Sequence, residues 1–274
     1  LHSPFIVTVH DLIRSRFSFS KETLSERILL KLDKHYIKRA SHIIAVSQNT
    51  RKDLIKYLKI PDGKMSVIYN GINHSIFKPY DVRILDKPYI LYIGSERPRK
   101  NLGRLFEAFA KLKGEFPELK LVKVGVFGRS EGYRRNVMRK LASLGITQDV
   151  FFVALVSELD LAHYYSSASL LAYPSLYEGF GLPPLEAMAC GCPVVTSNTS
   201  SMPEVVGKAG IMVDPYDTDS LAQAMRRVLT DDKLREDMVG KGLEQAKRFS
   251  WEETARKTQE VYNKVAERRA NSGL

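Results

Sequence analysis

The stretch that decides the reading is Tyr173–Val195, YPSLYEGFGLPPLEAMACGCPVV. A short apolar run, Ser169-Leu170-Leu171-Ala172-Tyr173, leads into it and reads as a buried strand. Leu185-Glu186-Ala187-Met188-Ala189 is a string of good helix formers. Pro183 or Pro184 suits the first turn of that helix, where no amide hydrogen is missed. The order is therefore strand, glycine loop, helix N-terminus. Glycine lets a backbone approach a ligand closely. The first helical turn offers unpaired N–H groups and a partial positive charge that favours phosphate. Two carboxylates, Glu178 and Glu186, stand eight positions apart across the loop, and carboxylates accept hydroxyls from a sugar or ribose. With Glu186 in the expected first turn and Glu178 in the loop, the first would meet a ribose and the second a hexose, which together describe a nucleotide-sugar. Taken alone, either glutamate is equally well explained as a complement to the helix dipole.

The full string resembles the Glu-x7-Glu motif of the retaining glycosyltransferases of family 4. Further family-like segments follow in the expected order, among them VIYNGINHSIFKP from Val67 to Pro79, so the resemblance covers nearly the whole chain. It implies an α/β chain of GT-B type, two Rossmann-like domains with parallel sheets. Residues 1–80 are then a partial acceptor-side domain and 81–250 the nucleotide-sugar-binding domain. Residues 251–274 are a terminal helix that crosses back to the first domain. The family's first domain is longer and opens with a glycine-rich loop. Here Leu1 stands almost directly before the apolar run Phe5–Val9, so the early strands and that loop are expected to be missing, and the first domain to be truncated.

The totals agree with a globular chain. Its 274 residues suffice for one large or two modest domains, and 44% hydrophobic with 27% charged residues is ordinary for such proteins. No apolar run approaches the roughly 20 residues of a membrane-spanning helix, and no signal-peptide pattern opens the chain. Cys190 and Cys192 lack the further ligands a zinc site needs and read as packing residues of a reducing compartment, the cytoplasm. The net charge of +11 is uneven: residues 1–80 hold 14 Lys and Arg against 6 Asp and Glu. Such a segment faces nucleic acid, an anionic membrane or a phosphorylated substrate, or is a solvated basic face.

Along the chain, strands and helices alternate, which implies parallel sheets. Phe5–Val9 reads as a strand ending at His10-Asp11, the edge where open α/β sheets bind ligands. A helix from about Thr23 to Ala40 shows Leu24, Ile28, Leu32, Tyr36 and Ala40 at spacing four. This stripe is expected to face the core, with Arg27, Lys31, Lys34, Lys38 and Arg39 solvated; the second reading is a basic amphipathic helix on an anionic membrane. Ser47 and Ser157 are placed to cap helices. Asn70-Gly71 is a turn signal, and the polar segment Pro79–Pro88 reads as an interdomain linker. The second unit opens with the strand Tyr89–Ile93, Gly94, the basic loop Ser95–Lys100, and Asn101 as the next cap.

Glycosyl transfer from a nucleotide diphosphate requires stabilising the leaving phosphate by a metal or by fixed cations. Arg97, Arg99 and Lys100 supply the cations, and Arg can bind phosphate bidentately. The resemblance places Lys100 at the family's phosphate-contacting lysine. Ser95 stands where a partner arginine often sits, leaving Arg97 or Arg99 to substitute. It also implies backbone contacts to sugar and phosphate from Phe180, Gly181 and Leu182, and a donor-sugar contact from His10. The expected catalytic set is Glu178, His10 and Lys100; the donor-binding set is Arg97, Arg99, Lys100, Phe180, Gly181, Leu182 and Glu186. Ala154 departs from the glycine often found near the base, and Arg129 is a weak candidate for base or ribose contact. Asp217-Thr218-Asp219 spells the Asp-x-Asp by which another glycosyltransferase fold holds manganese, but it precedes a helical pattern and reads as capping aspartates. No metal and no cofactor are expected. The donor is UDP- or GDP-linked, and the acceptor is a glycan or lipid-linked, with peripheral contact to an anionic membrane. A nucleotide-sugar-binding module without transfer activity is the alternative. A nucleic-acid binder ranks last, since no aromatic-basic cluster accompanies the charge.

Overall fold

Short apolar runs that are hydrophobic on both faces bury best as parallel strands covered by helices, and this arrangement is found twice. The computed structural model describes residues 5–16, 24–127 and 131–271. The chain begins with β1 (Ile6–Val9), α1 (Ile13–Arg16), α2 (Leu24–Arg39), β2 (His42–Ala45), α3 (Gln48–Leu58) and β3 (Met65–Val67). Then come β4 (Tyr89–Ile93), α4 (Leu102–Leu112), β5 (Lys120–Val124), α5 (Glu131–Ser143), β6 (Val150–Val153), α6 (Glu158–Ser167) and β7 (Leu170–Tyr173). It closes with α7 (Leu182–Ala189), β8 (Val194–Ser197), α8 (Met202–Val206), β9 (Ile211–Val213), α9 (Thr218–Thr230), α10 (Asp232–Ala246) and α11 (Trp251–Asn271). Two compact units result. Unit 1 comprises Leu1–Gly71, Glu178–Phe180 and Phe249–Leu274; unit 2 comprises Ile72–Tyr177 and Gly181–Arg248.

In unit 1 the parallel strands lie in the order β1-β2-β3. Val9, Ile43, Ala45, Leu54, Leu58 and Met65 form its core, and Val261 of α11 packs with Ile44 and Ile68 on the other side. Helix α2 corrects the expected orientation. Leu24, Ile28, Leu32 and Tyr36 are 75%, 49%, 45% and 47% exposed. The half-buried positions are instead Glu26, Leu30, Lys34 and Ile37, ending at buried Ala40. The stripe at spacing four thus asks for a partner that the described residues of unit 1 do not provide.

Unit 2 holds six parallel strands in the order β6-β5-β4-β7-β8-β9. The chain builds outward from β4 to β6, then returns to place β7 against β4, with Leu91 opposite Leu171. That reversal is a topological switch point, and in open α/β sheets ligands bind outside the carboxyl ends of the strands there. Leu102, Leu105, Phe106 and Phe109 of α4 and Leu221, Met225 and Val228 of α9 belong to one core with the strands. The polar stretch Pro79–Pro88 lies within unit 2, where Tyr80 N donates to Ser166 Oγ (3.2 Å) and Ile84 N to Ser167 Oγ (3.0 Å). Truncating Phe106, which is wholly buried, should cost about 3–5 kcal/mol. A denaturant midpoint for Phe106→Ala close to that of the wild type would show that this core is not close-packed.

Candidate active site

In unit 2, β4 and β7 deliver two loops to one sheet edge. After β4 the chain passes Gly94 to Arg97, makes one 3-10 turn at Pro98–Lys100, and enters α4 through Asn101. Asn101 occupies the cap position in left-handed backbone (φ 59) but makes no side-chain cap. Its amide donates instead to Pro174 O (3.0 Å) and Pro215 O (2.7 Å), tying the β4 loop to those that follow β7 and β9. Arg99 is a second tie: Nη1 donates to Tyr177 O at 3.0 Å, and Arg99 O accepts from Leu176 N at 2.8 Å. Lys100 is the third. Its ammonium is buried, donates to Tyr173 Oη at 2.6 Å and lies 4.9 Å from the ring centroid. Arg97 is exposed. The expected cations therefore differ in setting, two held against the β7 loop and one open.

The glycine loop enters α7 at Gly181, with Leu182, Pro183 and Pro184 opening the helix. Glu186 falls in its second turn, not the first, because the helix begins only at Leu182. There it is half-buried and accepts from Tyr165 Oη at 2.8 Å. Burial raises its carboxyl to about 7, against the lowering effect of the tyrosine hydrogen bond. Sequence reading missed Tyr165 and Tyr173, since an aromatic in an apolar run gives no sign that its hydroxyl meets a charged partner.

In unit 1, His10 sits exposed at the carboxyl end of β1. The segment Glu178–Phe180 belongs to this unit. Ser47, which caps α3 by accepting from Thr50 N, also donates to Gly179 O at 2.6 Å. Thr50 Oγ1 lies 3.2 Å from the same carbonyl. A Cβ on Gly179 would stand 2.0 Å from His10 O, so only glycine lets the two backbones approach this closely. Phe180 packs against Tyr69 and Phe249, with ring centroids 5.9 Å away in each case, and Glu178 is buried. The structure thus brings His10 and the Glu178 loop together, as unit 2 does Lys100, Arg99 and the segment that follows β7.

Asp217 of the Asp-x-Asp string caps α9, with Ser220 N on Oδ1 (2.9 Å) and Ser220 Oγ on Oδ2 (2.6 Å), while Asp219 pairs with Lys111. Arg129 and Gly128 lie outside the described residues.

Known proteins fix the class. The family model for Glycosyl transferases group 1 matches residues 77–245, and that for Glycosyltransferase Family 4 matches residues 1–76. The chain belongs to this glycosyltransferase family, with a GT-B fold. An O-antigen chain mannosyltransferase B from Escherichia coli is 41% identical over 175 residues, covering 64% of this chain and 45% of that protein. An O-antigen chain mannosyltransferase RfbU from Salmonella typhimurium is 32% identical over 225 residues, covering 81% of this chain and 60% of its own length. The sucrose-phosphate synthase of Thermosynechococcus elongatus superposes with a TM-score of 0.81 at 27% identity, over 95% of this chain and 67% of that one. Anabaena HepE, solved with UDP and glucose, gives 0.81 at 22% identity, over 96% and 71%. The chain thus spans about half the length of the two curated mannosyltransferases.

The raised Glu186 carboxyl sets a pH signature. The folded state keeps this proton up to about pH 7, whereas an unfolded glutamate loses it in the ordinary range. The stability of the neutral form is present near pH 4 and is lost as pH rises through 7. Glu186→Gln stays neutral, so it should melt with the wild type at acid pH and several degrees higher at pH 8. A melting difference that does not grow with pH would refute the burial of this carboxyl.

Proposed function

We propose that the chain is the donor-handling part of a retaining hexosyltransferase, which moves a mannose- or glucose-type hexose from a UDP- or GDP-linked donor to a glycan or lipid-linked acceptor. One observation carries the reading. The cationic turn Pro98–Lys100 and the loop after β7 leave adjacent strands at the switch point and are tied together by Arg99, Lys100 and Asn101. The mannosyltransferase relatives support the hexose, and HepE supports a nucleotide-sugar donor.

In this reading Lys100, Arg97 and Arg99 take the diphosphate. As the bond from the anomeric carbon to the phosphate oxygen breaks, they stabilise the negative charge that collects there, the kind of term that fixed cations supply best in a site shielded from water. The amides of Gly181 and Leu182 open toward the same anion. Glu186, already oriented by Tyr165, accepts ribose hydroxyls. In unit 1, His10 and Glu178, with the backbone of Phe180, take hydroxyls of the hexose. Retention follows if the acceptor oxygen bonds to the anomeric carbon from the face the diphosphate leaves, with its proton passing to that phosphate.

Peripheral contact with an anionic membrane is part of the proposal, and α2 is the observation that favours it. The helix exposes Leu24, Ile28, Leu29, Leu32 and Tyr36 beside the exposed cations Arg27, Lys31, Lys38 and Arg39, the composition of an interfacial helix. No helix among the described residues is long and apolar enough to cross a membrane.

Titration calorimetry with UDP and GDP tests the donor site. Glu186→Ala should lose about 1.5–3 kcal/mol of binding, the scale of a hydrogen bond to a charged group; affinity equal to the wild type would remove Glu186 from the site. Turnover of UDP- or GDP-hexose then separates transfer from capture alone. For α2, flotation with phosphatidylglycerol vesicles should carry the wild type and leave behind a double variant, Ile28→Asp with Leu32→Asp. Equal flotation of the two would exclude this helix as the contact.

A further inference from the structure

A charged cluster lies beneath the β4 loop, and no step described above uses it. Lys123 stands on β5, in register between Tyr92 of β4 and Phe152 of β6, and its side chain is wholly buried. The ammonium donates to Gly125 O (2.6 Å) and Val126 O (3.0 Å) and lies 3.9 Å from Glu96 Oε1. Arg134 of α5 donates to the same Oε1, with its guanidinium 4.3 Å from the ring centroid of Phe127 and 4.1 Å from that of Phe152. Glu96 is buried, and its Oε2 has no hydrogen-bond partner among the described residues. Beneath the strands' carboxyl ends, one carboxylate therefore meets two cations.

Such a cluster is a poor way to stabilise a fold. Desolvating three charges costs several kcal/mol each, and apolar residues of similar volume often do as well or better. Burial holds the Lys123 ammonium down to about 8, partly offset by Glu96. Among the described residues, the other charged and titratable groups at this place are Arg134, which lowers Lys123 further, and Tyr133, whose hydroxyl burial and Glu96 push up. What the cluster does fix is the loop. Arg99 to Asn101 are tied to the segment after β7, but those ties begin only at Arg99. The half from Ser95 to Arg97 is anchored by the Glu96 carboxylate, reaching back to β5 and α5.

We infer that Glu96 is a positioning residue: clamped by Lys123 and Arg134, it sets the path of Gly94–Lys100 and so presents Arg97, Arg99 and Lys100 to a diphosphate. The inference rests on the donor reading above.

The test uses the whole chain with Glu96→Gln, Glu96→Asp and the double variant Glu96→Gln with Lys123→Met. Calorimetry reads UDP, GDP, inorganic pyrophosphate and the bare nucleosides. Amide exchange reads Ser95 to Lys100, and melting reads the fold. Glu96→Gln should weaken UDP, GDP and pyrophosphate roughly tenfold, the loss of one charge-assisted hydrogen bond. It should speed exchange in the loop, leave nucleoside binding unchanged, and melt within a few degrees of the wild type. Glu96→Asp should recover part of the affinity. If Glu96→Gln fails to fold, the double variant removes the wholly buried one of the two cations left without their carboxylate and gives the same readings. Unchanged pyrophosphate affinity and unchanged loop exchange in a folded variant overturn the inference. If the wild type binds neither UDP nor GDP, the donor reading falls, and loop exchange alone judges the clamp.

Discussion

The contact on which unit 2 depends is the parallel pairing of β4 with β7. Strands 80 residues apart in the register, with Ile90 opposite Leu170 and Leu91 opposite Leu171, become neighbours because the chain turns back at the centre of the sheet. Everything chemical in this unit follows from that reversal. It places Gly94–Lys100 and the segment after Tyr173 at one edge, where Lys100 can reach the Tyr173 hydroxyl and the Asn101 amide the Pro174 carbonyl. A cation on a long flexible stem would otherwise lose much rotamer freedom on binding an anion. Here the fold has already met that cost, so the loop is pre-organised.

The second constraint is steric and lies in unit 1. The carbonyl of His10 comes so near Gly179 that no side chain fits between them, and Ser47 and Thr50 hold the Gly179 carbonyl from the start of α3. A cap that already serves its own helix thus also fixes a loop from more than one hundred residues away in sequence. The aromatic cluster of Tyr69, Phe180 and Phe249 completes the fastening. Glu178 enters this unit with its main-chain neighbours in place, and under the proposed donor reading it would meet a sugar with little reorganisation.

Much of this was legible in the sequence, for reasons that can be named. Short apolar runs between amphipathic segments give parallel sheets because both faces must be covered, and Pro183-Pro184 after glycine marks a helix start. Ser47, Ser157 and Asp217 cap as their spacing predicts. The misses are equally physical. Asn101 sits at a cap position, but its Oδ1 accepts from Arg104 Nη1 and its Nδ2 donates to Pro174 O and Pro215 O, so it caps no local N–H. Glu186 slips to the second turn because Gly181, in left-handed backbone, delays the helix. The α2 stripe shows only that an apolar face exists; periodicity does not say what covers it. The partners of Glu186 and Lys100 are tyrosine hydroxyls on buried elements, and Lys123 reads as one more charge in a strand until the register puts it between Tyr92 and Phe152.

The remaining pattern is electrostatic. Along the carboxyl edge of the unit 2 sheet, polar groups are held where burial works against them: Glu186 pushed up to about 7, Lys123 held down to about 8, and Glu96 with one oxygen unpaired among the described residues. Hydrophobic side chains of α4, α9 and the strands by contrast form one continuous core cluster. A fold selected only for stability would replace such charges with packed hydrocarbon. Their concentration at the one edge where loops converge is what a ligand-binding site requires, because perturbed titration gathers where charge must be handled in a dry setting. The apolar core supplies the stability that these groups subtract, and that division of labour between centre and edge lets a six-stranded sheet carry so many strained charges on its rim.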